Sequence, residues 1–152
     1  MYVLFTGLLR PVFYLALLLS LLSSHVQAQA QPPLPTRSLQ INDTTLLAEV
    51  ADTEDTRTQG LMYRLSLAPN SGMIFVFNYA LPMCFWMKST PLPLSIAFIT
   101  EDGTITNIEA MQPLSTDSVC PLIPIKYALE MEQGWFDEQG IYAGDVVQHL
   151  PD

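Results

Sequence analysis

The residues best suited to chemistry are concentrated in one segment of the chain, residues 83–94. Met83, Cys84 and Met87 within it are the soft ligand types that Cu(I) prefers. Methionines interleaved with Phe and Trp also serve as adaptable core side chains. Apart from the N-terminal segment described below, the chain has one histidine, His149. Copper handling is therefore a third-ranked hypothesis, and the sequence predicts no resident metal and no cofactor.

The two cysteines, Cys84 and Cys120, favour a structural disulfide. Their number is even, and in an oxidising compartment such a pair is usually bridged. The chain has no C-x-x-C spacing, which argues against thioredoxin-like exchange. A bridge would tie the start of a predicted strand to the proline-rich loop of residues 112–125, and it would remove Cys84 as a thiolate ligand.

The N-terminal segment has the layout of a secretory signal peptide. Arg10 is followed by an apolar run and then by small residues, with cleavage expected after Ala28 or Ala30. The run is too short for a membrane span of roughly 20 residues. We therefore expect a signal peptide (1–30), a flexible proline-containing tether (31–37) and one domain (38–152). The mature protein would be periplasmic or secreted, without a stable membrane anchor.

The charge balance is strongly acidic. The chain carries 6 Lys/Arg against 15 Asp/Glu, a net charge of −9, and loss of Arg10 with the leader leaves 5 against 15, or −10. Such a surface repels nucleic acid and anionic lipid. Any anionic ligand would have to use the few cations that remain. These are Arg37, Arg57, Arg64, Lys88 and Lys126.

The pattern of apolar residues and turns predicts a mainly β protein of the α+β type. A helix capped by Asp52 or Thr53 is expected to end or bend at Gly60, and a helical turn is expected at 135–139. The Asp102-Gly103 pair predicts a hairpin, and along 126–131 we expect Tyr127, Leu129 and Met131 to face inward. Eight short strands are predicted, at residues 38–42, 45–51, 73–77, 84–88, 94–100, 104–111, 126–131 and 145–150. Their short connections favour a small, mostly antiparallel sheet curled into a barrel or half-barrel.

Several segments, in order along the chain, resemble the domain of unknown function 192 family of bacteria and archaea. They are residues 49–51, 60–64, 72–77, 85–88, 93–99, 102–103, 127–130 with Gly134, 140–141 and 144–145. The resemblance implies a small barrel-like β fold and no established activity. One departure is Ser89, which stands where the family usually has Asn after Trp-Met-Lys/Arg; if that amide binds something, this chain binds it differently.

The sequence offers no complete catalytic device. Its histidine lies near the C-terminus, so a nucleophile–histidine pair is not expected and no catalytic residue is assigned. Paired carboxylates could still support hydrolysis or transfer, and Glu49, Glu109 and Glu130 are the candidates in predicted strands. Whether the protein is an enzyme stays open, with a negative answer preferred.

Six polar and aromatic residues in or near the family segments are the candidate ligand-binding set. They are Arg57, Arg64, Trp86, Lys88, Thr90 and Glu130. In one interpretation, Lys88 or Arg64 pairs with Glu130 and holds strands in register. In the other, the set lines one mouth of the barrel and holds a small anionic or zwitterionic ligand against Trp86 or Phe85. The leading hypothesis is an exported, non-catalytic binding module for such a ligand or an envelope protein; the alternative is a carboxylate-based envelope hydrolase or transferase.

Overall fold

The computed structural model describes residues 34–152. The predicted signal peptide and the first tether residues, 31–33, lie outside the described residues. The described part contains strands β1 (Thr36–Ile41), β2 (Thr44–Ala51), β3 (Ser71–Leu81), β4 (Leu94–Ile99), β5 (Ile105–Met111), β6 (Ile125–Glu132) and β7 (Val147–Gln148). Two short helices, α1 (Glu54–Gln59) and α2 (Trp135–Glu138), complete it. Strand β1 begins two residues before the predicted start of the domain.

The seven strands form one mixed sheet in the order β5-β4-β6-β3-β2-β1-β7. All neighbouring pairs are antiparallel except β2 and β3, which are parallel. Residues 52–70, which include α1, provide the crossover that a parallel pair requires. The sheet is curled into an open half-barrel, and a single bridge between Thr104 and Val146 joins its two edges at one end. The predicted fold class is confirmed.

Local signals in the sequence account for the short elements. Thr53 caps α1 with a reciprocal capping box to Thr56, and Gly60 follows the helix with a positive φ of 47°. Asp102-Gly103 forms the predicted hairpin turn: the Thr100 N–H donates to the Thr104 carbonyl at 3.0 Å. Gly103 has a φ of 91°, which glycine adopts without steric cost.

The sheet is covered on both faces, and two apolar clusters result. Tyr127, Leu129 and Met131 of β6 lie in the cluster enclosed by the curl, together with Trp135 and Phe136 of α2, as predicted for the three strand residues. The alternate residue Ala128 lies in the second cluster, beneath α1 and the segment 82–93. Glu130 shares that second face. Because both faces of β6 are covered, Glu130 is buried although it is polar.

The predicted strand at 84–88 is wrong, which leaves seven strands where eight were expected. Phe85 pairs with Val119 in an isolated bridge, with N–H to carbonyl distances of 2.8 Å in both directions. The chain then turns at Ser89, where φ is 58°. Alternating apolar residues here reflect packing of an irregular segment onto the second cluster, because no neighbouring strand continues the pairing.

The disulfide between Cys84 and Cys120 is present and lies beside this bridge, with the two Cα atoms 4.2 Å apart. It ties the segment 82–93 to the segment 112–124, as the sequence predicted. Both cysteines are exposed. Within residues 34–152, no helix is long and apolar enough to cross a bilayer.

Gly72 of β3 lies opposite Met131 of β6, and we expect Gly72→Ala to lower the free energy of unfolding by about 2–3 kcal/mol. An added Cβ would overlap the Glu130 carbonyl oxygen and the Met131 sulfur, so the two strands would have to separate. Urea unfolding measures the change. Gly140→Ala is the comparison variant. Gly140 has a φ of 66°, but no atom lies within 4 Å of an added Cβ, so only the cost of holding alanine at a positive φ applies, about 1 kcal/mol. Equal losses for the two variants would contradict this account.

Candidate functional site

A pocket of about 450 Å³ opens on the second apolar face, between α1 and the segment that carries the disulfide. Most of its wall is apolar, and the polar groups that reach it are few. Its lining residues are Glu54, Arg57, Thr58, Gln59, Gly60, Leu61, Met62, Phe75, Phe77, Leu81, Met83, Cys84, Phe85, Trp86, Thr90 and Glu130. Its size and composition are those of a small-molecule site.

Glu130 provides the one carboxyl group on the strand side of this pocket. Its neighbours on the two adjacent strands are Met73 and Ile96, both fully buried. The side chain is itself only 5% exposed, and within residues 34–152 it has no hydrogen-bond or ion-pair partner. Burial raises the pKa of Glu130 to about 8, because the ionised form loses water and gains nothing in exchange. At neutral pH the carboxyl is mostly protonated.

Aromatic side chains form the apolar wall. The Phe85 ring meets Phe75 edge-on at 5.0 Å between centroids, and Phe77 at 6.4 Å. Phe85 also contacts Phe98 at 5.9 Å, which anchors the wall in the buried strand β4. Trp86 is half-exposed at the opening. The wall is therefore fixed by packing, with one broad aromatic side chain left accessible to a ligand.

Arg57 reaches the pocket from α1. Its Nη1 donates to the carbonyl of Val76 at 2.9 Å and to that of Asp52, and its guanidinium lies 5.4 Å from the centre of the Phe77 ring. These contacts fix the side chain and leave its other N–H groups for further bonds. Arg57 is thus a cation that lines the pocket and is held in place by the fold.

The predicted ion pair between Glu130 and Arg64 or Lys88 is wrong. Arg64 Nη2 binds the Glu49 carboxylate at 2.7 Å, and Glu49 lies two strands from Glu130 in the same row of the sheet, about 10 Å away. Lys88 is exposed, with its Nζ 5.3 Å from the centre of the Trp86 ring. Neither Arg64 nor Lys88 lines the pocket; Arg57, Trp86, Thr90 and Glu130 do.

Thr90 is buried two residues after the family segment 85–88. The Thr90 N–H donates to the Met87 carbonyl at 3.0 Å and its carbonyl accepts from Leu114, so its backbone is fully engaged. Next to it, Ser89 accepts from the Tyr63 N–H at 2.8 Å, and both Ser89 and Tyr63 have positive φ. Asn tolerates that conformation better than other non-glycine residues. The usual Asn at the Ser89 position therefore has a backbone explanation, and Ser89 is not among the pocket residues.

The soft-metal candidates do not form one thiolate site. Cys84 is in the disulfide, and a bridged sulfur offers no thiolate. Met87 is buried in the second cluster, whereas Met83 is exposed at the pocket opening. Within residues 34–152, no group of three His, Cys, Asp or Glu side chains is placed to hold a metal ion.

Several pocket residues were not predicted from the sequence. Glu54, at the N-terminus of α1, and Phe75 and Phe77, on β3, belong to the wall although each has an ordinary structural interpretation. The available signal was the alternation of Phe75 and Phe77, which places both on the face that Glu130 shares. Without the strand pairing, that alternation does not say which face holds the pocket.

The model of the DUF192 family, described as "Uncharacterized ACR", matches residues 37–149, and the chain belongs to this family. Among curated proteins, none matches.

Similar solved structures include two crystal structures. One, of a "putative transcription regulator" from Sinorhizobium meliloti 1021, shares 34% identity over 78% of this chain and 97% of the other, with a TM-score of 0.75. The second, of a protein of unknown function from Novosphingobium aromaticivorans DSM 12444, shares 28% identity over 79% and 94%, with a TM-score of 0.71.

Proposed function

We propose that the protein is a non-catalytic binding module whose pocket between α1 and the disulfide segment takes a small ligand. The observation that carries this is Glu130: a carboxyl group 5% exposed, unpartnered within the described residues, that lines an apolar pocket. Burying a polar group without a partner costs free energy. A ligand that hydrogen-bonds the carboxyl would offset that cost.

Export to the periplasm or beyond is part of the proposal. The disulfide supports it, because such bridges persist in oxidising compartments. In this proposal residues 1–30 are the cleaved leader and residues 31–37 a tether.

Nucleic acid is not the proposed ligand, although one similar structure carries the description of a transcription regulator. The net charge of −9 would repel a phosphate backbone. Two of the chain's six cations are also engaged by carboxylates, Arg64 by Glu49 and Lys126 by Glu101. No basic stripe is left to follow a duplex among residues 34–152.

Native mass spectrometry of the mature protein from its own host tests the proposal. We expect a discrete mass above that of the oxidised, processed chain, and we expect Thr58→Trp to remove it. Thr58 is exposed on α1 and lines the opening, so the indole would fill the entrance without deleting a contact of the fold. A small ligand depends on burial in its pocket, so blocking the entrance should reduce occupancy by about tenfold or more.

Asp55→Trp is the matched control, since Asp55 is exposed on the same helix but does not line the pocket. It should retain the extra mass. A wild-type protein without added mass, or equal retention by Thr58→Trp, would contradict a ligand in this pocket.

A carboxylate-based hydrolase is the second candidate, because Glu54 and Glu130 line the same pocket. Two carboxyl groups that face one pocket are the kind of pair that glycoside hydrolysis uses. Turnover of an envelope glycan, lost in Glu130→Gln with the fold intact, would replace the binding proposal with this one.

A further inference from the structure

Three features of the pocket restrict what kind of ligand it can hold. Glu130 is at the strand side, the Phe75, Phe77 and Phe85 rings form the wall, and Trp86 stands at the opening. Aromatic faces attract cations through the ring quadrupole, most strongly where water is excluded. A carboxyl group at the end of such a wall adds the opposite charge that a cation needs.

The surrounding charges leave Glu130 available. From α1, Glu54 and Arg57 reach the same pocket; from β3 and β4, the residues beside Glu130 are Met73 and Ile96, which carry no charge. Along its row of the sheet, Glu49 is held by Arg64 and Glu109 is exposed, each two strands away. Within residues 34–152 Arg57 forms no ion pair with Glu130, and its Nη1 bonds instead to the carbonyls of Asp52 and Val76.

We propose that the pocket recognises a small organic ammonium ion, whose N–H groups bond to the Glu130 carboxylate while its carbon skeleton lies against the Phe75, Phe85 and Trp86 rings. This deepens the proposed function and rests on it. Where such a ligand is zwitterionic, Arg57 is the cation positioned for its carboxylate. A purely anionic ligand would meet Glu130 and Glu54 and is disfavoured.

Binding of an ammonium ion is then coupled to loss of the Glu130 proton. The carboxyl is mostly protonated at pH 7, because burial raises its pKa to about 8, and the ammonium ion selects the ionised form. The ionised fraction grows with pH, so affinity should rise about ninefold from pH 6 to pH 7 and about fivefold from pH 7 to pH 8. It should level off above that. An aliphatic ammonium ion stays charged throughout this range.

Three probes that differ in their polar end test the proposal: 2-phenylethylammonium, 2-phenylethanol and phenylacetate. Binding is followed by the indole N–H resonance of Trp86 in the isolated wild-type protein. Trp135, the other tryptophan, is an internal control, because it lies in the first cluster with its indole N–H bonded to Asn70 at 2.9 Å. The ammonium probe should shift the Trp86 resonance and leave the Trp135 resonance unmoved. The affinity obtained from that shift should rise with pH as stated above.

At pH 8, Glu130→Gln should lower the affinity for the ammonium probe by about tenfold or more, because a charge-assisted hydrogen bond is lost. The same variant should change the affinity for 2-phenylethanol by less than about twofold, because the neutral contact with that probe is retained. Glu132→Gln, an exposed acid on the same strand, should change neither. Tighter binding of phenylacetate or 2-phenylethanol, or full affinity in Glu130→Gln, would overturn the ammonium assignment while leaving a ligand pocket. A Trp86 resonance unmoved by all three probes at millimolar concentration would overturn both proposals.

Discussion

Replacing Glu130 by glutamine is expected to stabilise the protein at pH 7 by about 3 kcal/mol. Glutamine has the shape of the protonated acid and does not ionise, so the variant avoids the free energy of keeping a carboxyl protonated at pH 7 among Met73, Ile96 and the aromatic wall. Most substitutions of buried residues destabilise. A gain at this position would identify Glu130 as a group kept for a purpose other than stability.

The pH dependence follows from the raised pKa of Glu130. Below pH 4.5, the ordinary pKa of a glutamate, the carboxyl is protonated in both the folded and the unfolded protein. Its ionisation therefore does not lower the free energy of unfolding there. Between 4.5 and about 8 the unfolded chain ionises while the folded chain keeps its proton, so stability falls by about 1.4 kcal/mol per pH unit. Above about 8 the loss levels off.

Urea unfolding of the wild type and Glu130→Gln at pH 5, 6, 7 and 8 measures this difference. The advantage of Glu130→Gln should widen with each step. Glu132→Gln is the matched control, since Glu132 is exposed two residues further along β6 and its replacement should add no such trend. A constant difference between wild type and Glu130→Gln across the range would contradict an uncompensated buried carboxyl.

Removing the disulfide is the second large effect. The double variant Cys84→Ser, Cys120→Ser is expected to lose about 4 kcal/mol, the chain-entropy value for a bridge across a separation of 36 residues. Both cysteines are exposed, so serine leaves no cavity. For a domain of this size the loss corresponds to a melting temperature lower by roughly 15 °C. Without the bridge, the Phe85–Val119 pairing and the backbone hydrogen bonds from Met87 to Ser115 and from Leu114 to Thr90 still join the two segments.

Thermal unfolding of the double variant beside the wild type, with and without reductant, makes the measurement. Reduced wild type should melt near the double variant, and reductant should leave the variant unchanged. A loss below about 1 kcal/mol would mean that the loop is held by its other contacts and that the bridge constrains little.

The sequence predicted those parts of the fold that depend on local chemistry. Thr53 and Gly60 bound the first helix as expected, and Asp102-Gly103 makes the hairpin. The disulfide partners followed from the cysteine count. The segment at 84–88 was misread, because its apolar alternation is the same whether it pairs with a strand or packs on a cluster.

The site was predicted only in part, because its charges depend on pairings distant in sequence. Arg64 and Lys88 each have the positive charge that could pair with Glu130. Arg64 binds Glu49 instead, which the parallel pairing of β2 with β3 places two strands from Glu130. Alternation predicted the inward face of β6, but not that α1 and the disulfide segment would cover the other face. Burial of Glu130, the central fact of the site, comes from that second layer.

The most direct test of the account is the titration of the Glu130 carboxyl carbon by ¹³C NMR in the isolated protein, with Glu130→Gln used to assign its signal. We predict a midpoint near pH 8, because the carboxyl is buried without a partner. A midpoint near the ordinary value of 4.5 would show a hydrated or partnered carboxylate. The pocket would then lack the group on which both proposals rest.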